Sequence, residues 1–354
     1  MTPRRAALLR GLGGMRALEV GGLLPIVLYG VLQPDAFNLD LVGKYFLLAV
    51  LALSVDLVWG YAGLITLGHA VFFGAGGYVA ALVLVRQVGG LPASIGLSLA
   101  LAILVAMVLA GLLGVFLFSG QGVQGGYFAL ATLAVSFVVE QYLTTSGPLG
   151  GYNGIPNLPF LDFGFVDVSY GASFYWFSAG LLMLVYLGLR ALLGSRLGLV
   201  IRGLREKEQR LNYLGYHTPR LKWVLYTLSA GLAGLVGCVY AIHDGFVSPQ
   251  LTGVDLSTQA VIWVAVGGAG TLLGAVAGTL LINGASAWLS RLLLQDWLFV
   301  LAVVLIVIVR FRPAGLLGAF ARPAAPSTQP LGEVGVAVPD THDAEGAVSA
   351  GRGT

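Results

Sequence analysis

Residues 93–118 read ASIGLSLALAILVAMVLAGLLGVFLF, an apolar stretch without a charged side chain. The hydrocarbon core of a bilayer is about 30 Å thick, and a helix needs about 20 mainly apolar residues to cross it. Comparable stretches recur along the chain. We predict helices near 20–33, 43–60, 69–85, 93–118, 126–145, 173–193, 223–243, 258–267, 271–290 and 296–311. The sequence therefore predicts an all-α integral membrane protein with about ten transmembrane helices.

The composition of the 354-residue chain agrees with this prediction. Hydrophobic residues make up 57% of it and charged residues 10%, whereas a soluble domain carries about 25% charged residues. The mean hydropathy is +0.89. So few charged side chains could not cover the surface of a soluble globule of this length. This composition excludes soluble enzymes and wholesale disorder.

The distribution of positive charge predicts the topology. Sixteen of the 19 lysines and arginines precede the first predicted span, lie between the end of the sixth and the start of the seventh, or lie at the end of the last and beyond it. The positive-inside rule places all three regions in the cytoplasm, so an even number of crossings must separate them. That condition requires a break in 258–290, which we place at the sequence GGAG, residues 267–270. A re-entrant segment at 258–267 is the alternative.

Three parts of the chain follow from these predictions. Residues 1–19 form a cytoplasmic N-terminal tail, and residues 20–318 form the transmembrane domain. Residues 319–354 are rich in Pro, Ala, Gly and Ser and lose all apolar periodicity. We predict that they form a disordered cytoplasmic tail.

The basic loop at 196–222 contains a further helix signal. Residues 205–214 are mostly good helix formers, and Gly215 stands where a C-cap is expected. We predict a short amphipathic helix on the cytoplasmic surface, with an apolar face of Leu204, Leu211 and Leu214. Such a helix either anchors to anionic lipid or docks onto a soluble partner.

Signatures of catalysis and of nucleotide binding are absent from the sequence. There is no P-loop, no HExxH motif, no nucleophile elbow and no cluster of histidines. The glycine-rich stretch at 267–271 lacks the lysine that a P-loop uses for phosphates. We expect no enzyme activity and no cofactor in this chain.

Two glycine-interrupted stretches, 60–68 and 267–274, are candidates for a solute path. Broken helices expose backbone polar groups, which are tolerated at membrane depth only where they face protein or water. For each neighbouring residue, structural packing is the alternative to contact with solute. The candidate path residues are Asp56, Tyr61, Thr66, His69, Trp263, Gly267, Gly268 and Thr271.

The segment 146–172 is long for an external loop. Its Gly-Gly and Asn-Gly pairs favour tight turns, so an ordinary loop with several turns explains them. The alternative is an external mouth or a contact for a binding protein, with Tyr152 and Asn153 as candidates.

Several blocks of sequence resemble one transporter family across about residues 40–316. They are WGYAGLITLGHA at 59–70, FFGAGGY at 72–78, GGYNGI at 150–155, LSAGLAG at 228–234 and WVAVGGAGTLLGA at 263–275. Together with the basic loop, they resemble the permeases of branched-chain amino-acid ABC importers, the LivM type, and their urea-transporting relatives, the UrtC type.

This resemblance implies a function and a set of partners. The chain would be a permease subunit in a bacterial inner membrane, joined by a homologous permease and two ABC ATPases that bind ATP and magnesium. A periplasmic or lipid-anchored binding protein would deliver the solute, and no nucleic acid would be involved.

The basic loop would then be the coupling loop to the ATPases, and its helix would run through residues 202–216. In the family motif a glutamate is followed by small residues and by a glycine seven positions later, which Glu208 and Gly215 match. Arg210 and Leu211 stand in place of the family's alanines. The residues implied in coupling are Arg205, Glu208, Leu211, Leu214 and Gly215.

The form of the coupling loop favours the urea type. The scarcity of ionisable residues in the spans also favours urea, because an amino acid brings two charges that a low-dielectric path must neutralise. The alternatives are a permease for branched-chain amino acids and, in another class, a stand-alone secondary transporter or channel. A proton-coupled transporter would need a chain of carboxylates or histidines, which the spans lack.

Overall fold

A computed structural model describes residues 28–87, 92–118, 126–161 and 170–293. It also describes the isolated positions 25, 168, 303, 306, 310, 311 and 315–317. The predicted tails at 1–19 and 319–354 lie outside the described residues, as do half of the predicted span at 20–33 and most of the predicted span at 296–311.

The described residues are mostly helical. We number the helices with described bounds in chain order: α1 Ala36–Asp56, α2 Ala70–Leu84, α3 Ile95–Phe118, α4 Gly126–Thr145, α5 Ala172–Gly194, α6 Arg196–Tyr213, α7 Thr218–Asp244, α8 Val254–Gly267 and α9 Leu272–Leu292. Short 3-10 turns lie at Gly147–Leu149, Gly151–Asn153 and Pro249–Thr252.

Six helices within the described ranges are long and apolar enough to cross a membrane. They are α1 with its extension to Tyr61, α3, α4, α5, α7 and α9. The apolar helices α2 and α8 coincide with predicted spans but have only 15 and 14 residues. A multi-pass helical membrane protein is confirmed, and ten crossings stay a prediction.

Helix α1 begins seven residues before the predicted span, because Asp35 caps it. The Asp35 carboxylate accepts hydrogen bonds from the Phe37 amide at 3.0 Å and from the Asn38 side chain at 2.7 Å. Capping by an aspartate satisfies backbone donors that the first turn of a helix leaves free. Apolar periodicity alone does not detect such a polar start.

Small residues allow α2 and α7 to approach closely in the core. A β-carbon added at Gly76 would lie 1.9 Å from the Gly234 carbonyl oxygen, and one added at Gly237 would lie 1.8 Å from the Phe73 carbonyl oxygen. Contacts of this kind between small residues replace the hydrophobic effect as the packing force between membrane helices. The spacing of these glycines therefore fixes the contact between the two helices.

A short antiparallel ladder, which the all-α prediction did not include, closes one end of the bundle. Strand β1, Ile155–Pro156, pairs with strand β2, Phe246–Val247. Gly154 precedes β1 with φ of +68°, and a β-carbon there would lie 2.1 Å from the Val247 carbonyl oxygen. The glycine-rich turn at 150–154 is therefore packed against the chain.

The opposite end of the bundle carries α6. From β2 the chain passes through α8 to Gly270, which contacts the last turn of α1 beside α6. The segment 246–267 therefore leads from the ladder to the α6 end of the bundle, and its crossing of the membrane stays a prediction. The amides of Leu316 and Leu317 donate to the Val266 and Gly267 carbonyls at 2.8 and 3.0 Å, so 315–317 also lie at the α6 end.

Candidate functional site

Both predicted helix breaks are present. Helix α1 passes into a π-helical turn, Leu57–Tyr61, and regular helix resumes only at Ala70. Helix α8 ends at Gly267 and α9 begins at Leu272. Between them Gly268 and Gly270 have φ of +119° and +88°, a region that only glycine adopts readily.

The two breaks meet at one point, which we call the junction and define as Asp56, Gly60, Ala269 and Gly270. Asp56 is fully buried, and its Oδ1 accepts a hydrogen bond of 2.7 Å from the Gly270 amide. A β-carbon added at Gly60 would lie 2.2 Å from the Gly270 nitrogen. The contact therefore requires glycine at this position.

Arg205 of α6 reaches the junction. Its Nη1 donates a hydrogen bond to the Gly60 carbonyl and a second, at 3.4 Å, to the Ala269 carbonyl. Each carbonyl belongs to a different break. One guanidinium thus contacts both broken helices and connects them to α6.

Helix α6 differs in its apolar face from the prediction. It begins at Arg196 and has a kink at Lys207, where φ is −154° and ψ is 80°. Leu204 and Leu211 are buried within the chain, whereas Leu214 is 73% exposed. The prediction that these three leucines form one free face is therefore wrong. Apolar character attracted the first two to the chain's own core.

The predicted glycine cap of α6 is confirmed. Gly215 has φ of +85°, and the Gly215 and Tyr216 amides donate to the Asn212 and Leu211 carbonyls, both at 3.0 Å. This is the hydrogen-bond pattern of a Schellman motif. Tyr213 is 89% exposed, so the end of α6 presents an exposed turn at 213–216.

Glu208 is engaged within the chain. Its carboxylate lies 2.6 Å from Lys222 Nζ and accepts a hydrogen bond of 2.9 Å from the Thr218 hydroxyl. Lys222 and Thr218 belong to the first turns of α7, and both are buried. The sequence predicted a role for Glu208 but neither of these partners. The Glu208–Lys222 ion pair and the hydrogen bond from Thr218 connect α6 to α7.

A cavity of about 140 Å³ opens between the first break and α6. Its lining combines small and apolar groups with charges of both signs. The lining residues are Ala62, Gly63, Leu64, Leu204, Arg205, Glu208 and Lys222.

The remaining candidate path residues lie around the breaks. Thr66 and His69 are fully buried, and the His69 ring packs edge-on against Phe72 with centroids 5.6 Å apart. Trp263 is 2% exposed, and Tyr61 is half-buried. The Thr271 hydroxyl donates to the Gly268 carbonyl at 2.7 Å and helps to hold the second break. In this structure these side chains pack within the chain, and contact with solute stays a prediction.

The candidate mouth residues lie at the other end of the bundle. Tyr152 and Asn153 belong to the 3-10 turn Gly151–Asn153 next to β1. Tyr152 is 71% exposed. The turn therefore presents an aromatic side chain on a surface that glycines hold in place.

A cluster of charged residues joins α1 to α7 near the ladder, and the sequence did not reveal it. Lys44 Nζ lies 2.6 Å from Asp244 Oδ1, and His243 Nε2 lies 3.3 Å from Asp40 Oδ2. The His243 ring stacks on Phe174. The sequence did contain one signal of this cluster, because Asp40 and Lys44 are spaced i and i+4 within one apolar span.

Comparison with known proteins gives one family. A family model described as "Branched-chain amino acid transport system / permease component" matches residues 38–309. The match covers more than three quarters of the chain and includes every residue of the junction.

Individual relatives agree with this family. The chain is similar to the high-affinity branched-chain amino acid transport system permease protein LivM of Salmonella typhimurium, with 29% identity over 79% of this chain and 70% of the relative. A probable LivM of Methanocaldococcus jannaschii is 25% identical over 78% of this chain and 90% of the relative. The LivH permease of Salmonella typhimurium is 28% identical over 35% of this chain and 40% of the relative. No solved structure matches significantly.

Proposed function

Because the chain belongs to the family of branched-chain amino acid transport permeases, we propose that it is the membrane-spanning permease subunit of an ATP-driven importer for branched-chain amino acids. The observation that carries this proposal is the family match over residues 38–309. The breaks at 60–68 and 267–274 and the candidate residues around them are the proposed solute path.

The comparisons favour amino acids over urea as the solute. The LivM relatives are named for branched-chain amino acid transport, and nothing in the comparisons supports the urea expectation.

The proposed partners are a homologous permease, two ABC ATPases that bind ATP and magnesium, and an external substrate-binding protein. The similarity to both LivM and LivH of one organism supports a pair of homologous permeases. The exposed turn at 213–216 supports an ATPase contact through α6.

In this proposal the protein is oriented in a bacterial inner membrane with α6 and both termini in the cytoplasm. The basic residues of α6 support this orientation. Tyr152 and Asn153, at the opposite end, would then face the binding protein. The lipid-anchoring alternative for α6 is compatible with the same orientation.

Uptake by the reconstituted complex tests the proposal. The chain, its homologous permease and the ATPases are placed in liposomes with ATP inside, and the binding protein is added outside with labelled leucine. We expect ATP-dependent leucine uptake that excess isoleucine competes and excess urea does not. Liposomes without ATP are the matched control.

Two other results would contradict the proposal in different ways. Uptake of labelled urea that leucine does not inhibit would identify urea as the solute. Leucine uptake by this chain alone, without ATPases or ATP, would indicate a stand-alone transporter or channel.

A further inference from the structure

Arg205 occupies an unusual position in the molecule. It lies on α6, the helix with the exposed 213–216 turn, and its guanidinium donates to the Gly60 and Ala269 carbonyls. These carbonyls belong to the two helix breaks. A rigid displacement of α6 therefore moves a group that contacts both breaks at once.

The backbone at the two breaks suits a cation. Carbonyls in the last turn of a helix lack an intrahelical donor and carry the negative end of the helix dipole. Gly60 lies in the π-helical turn that ends α1, and Ala269 follows the end of α8. One guanidinium nitrogen, Nη1, donates to both carbonyls, because it carries two N–H groups.

The contact is also close-packed. A β-carbon added at Gly270 would lie 2.6 Å from Arg205 Nη1, and one added at Gly63 would lie 3.4 Å from the Arg205 Cα. Arg205 is therefore packed against glycine backbone from both breaks, with no intervening side chains. Arg205 as a whole is exposed, so these glycine contacts, and not burial, hold its guanidinium at the breaks.

We propose that Arg205 is a positioning residue that links α6 to both helix breaks and holds them together in the state described here. Displacement of α6 withdraws the guanidinium from Gly60 and Ala269 and frees the breaks to separate. The transport part of this proposal rests on the proposed function, whereas the structural part does not.

Cysteine accessibility tests the structural part without any substrate. With Cys238 replaced by alanine, single cysteines are introduced at Leu64 and at Leu272, which are 5% and 7% exposed and lie beside the two breaks. We expect Arg205→Met to increase the rate of maleimide labelling about fivefold or more at both positions, a size typical of coupling between sites. Arg86→Met removes an exposed arginine elsewhere and should leave both rates unchanged.

The ratio of uptake to ATP hydrolysis tests the transport part. In the full complex we expect Arg205→Met to lower leucine uptake per ATP hydrolysed by about tenfold, while assembly and ATP hydrolysis persist. A residue needed only for folding would lower uptake and hydrolysis together. Arg205→Lys keeps the charge on a compact, strongly hydrated ammonium without the planar guanidinium, and we expect it to restore the ratio only in part.

The outcomes separate the two proposals. Unchanged labelling at both reporter cysteines would overturn the role of Arg205, whatever the complex transports. Faster labelling in a complex that carries no leucine would leave the link standing and reject the proposed function. If Arg205→Met does not accumulate in membranes, Arg205→Gln is measured in the same two assays and decides by the same criteria.

Discussion

Asp56 is a carboxylate buried in an apolar helix, and its position gives it a structural task. Its Oδ1 accepts from the Gly270 amide at 2.7 Å, which ties the end of α1 to the second break. Within the described part of the chain, its Oδ2 has no hydrogen-bond partner. Burying a charged group is costly, so the tie that it makes must offset that cost.

Replacing Asp56 should weaken the fold at the junction. Asp56→Ala leaves the Gly270 amide without its acceptor, and we expect a loss of about 1–3 kcal/mol in the free energy of unfolding. Asp56→Asn keeps an acceptor oxygen and should lose less. Unfolding in detergent micelles, followed by circular dichroism, measures both.

The matched control for this prediction is Asp255→Ala. Asp255 is exposed in the first turn of α8, where a carboxylate contributes about 0.3–1 kcal/mol through the helix dipole. Equal losses for Asp56→Ala and Asp255→Ala would contradict the structural role of Asp56.

At the scale of residues, sequence reasoning found the side chains but not their partners. Asp56 stood out because a lone carboxylate in an apolar span is rare. Its partner is a backbone amide of Gly270, and the partners of Arg205 are backbone carbonyls. Every residue has these groups, so no residue type indicated which ones would meet.

At the scale of elements, α6 shows what periodicity can and cannot predict. Helix formers and Gly215 predicted the helix end correctly, because a C-cap is a local property. Burial of Leu204 and Leu211 depends on neighbours distant in sequence and was predicted wrongly. The kink at Lys207 turns Leu211 back toward Gly203. A β-carbon added at Gly203 would lie 3.2 Å from the Leu211 side chain.

The Gly215 cap gives a prediction about coupling. Gly215→Val must place a β-branched residue at φ of +85°, which costs about 1–2 kcal/mol and distorts the turn at 213–216. We expect uptake per ATP hydrolysed to fall severalfold, with membrane insertion intact. Uptake and ATP hydrolysis are measured together in proteoliposomes.

Gly215→Asn is the informative comparison, because asparagine tolerates the left-handed region. It should retain most of the coupling. A β-carbon at Gly215 has no atom within 4 Å, so a clash within the chain cannot explain a loss in the valine variant. If Gly215→Val coupled uptake to ATP hydrolysis as well as the wild type does, the Gly215 cap would have no role in coupling.

At the scale of the whole molecule, ion pairs fasten α1 to α7 near the ladder. Lys44 and Asp244 lie 2.6 Å apart with side chains 30% and 27% exposed. We expect Lys44→Asp to lower the free energy of unfolding by about 1 kcal/mol or more, since it also places like charges together. The double variant Lys44→Asp with Asp244→Lys should recover most of this loss in the same unfolding assay, and failure to recover would show that the pair is incidental.

The break after Gly267 was a feature of the whole molecule that charge counting predicted correctly. Counting charges required a break near Gly267 and an even number of crossings between the basic loop and residue 310. In the structure, 315–317 lie at the same end as α6 through their bonds to Val266 and Gly267, as an even number demands. The charge rule acts on the whole chain, so it predicted this break where local patterns of burial could not, and the number of crossings and the orientation stay predictions.

Sidedness can be tested on the intact protein, with Cys238 replaced by alanine. Tyr152→Cys and Tyr213→Cys replace side chains that are 71% and 89% exposed, at opposite ends of the bundle. We expect a membrane-impermeant maleimide to label Tyr152→Cys in spheroplasts, where the outer membrane is open, and to label Tyr213→Cys only after the inner membrane is disrupted. The reverse pattern would place α6 outside, where no ATPase could reach the 213–216 turn, and would contradict the positive-inside argument as well as the proposed coupling.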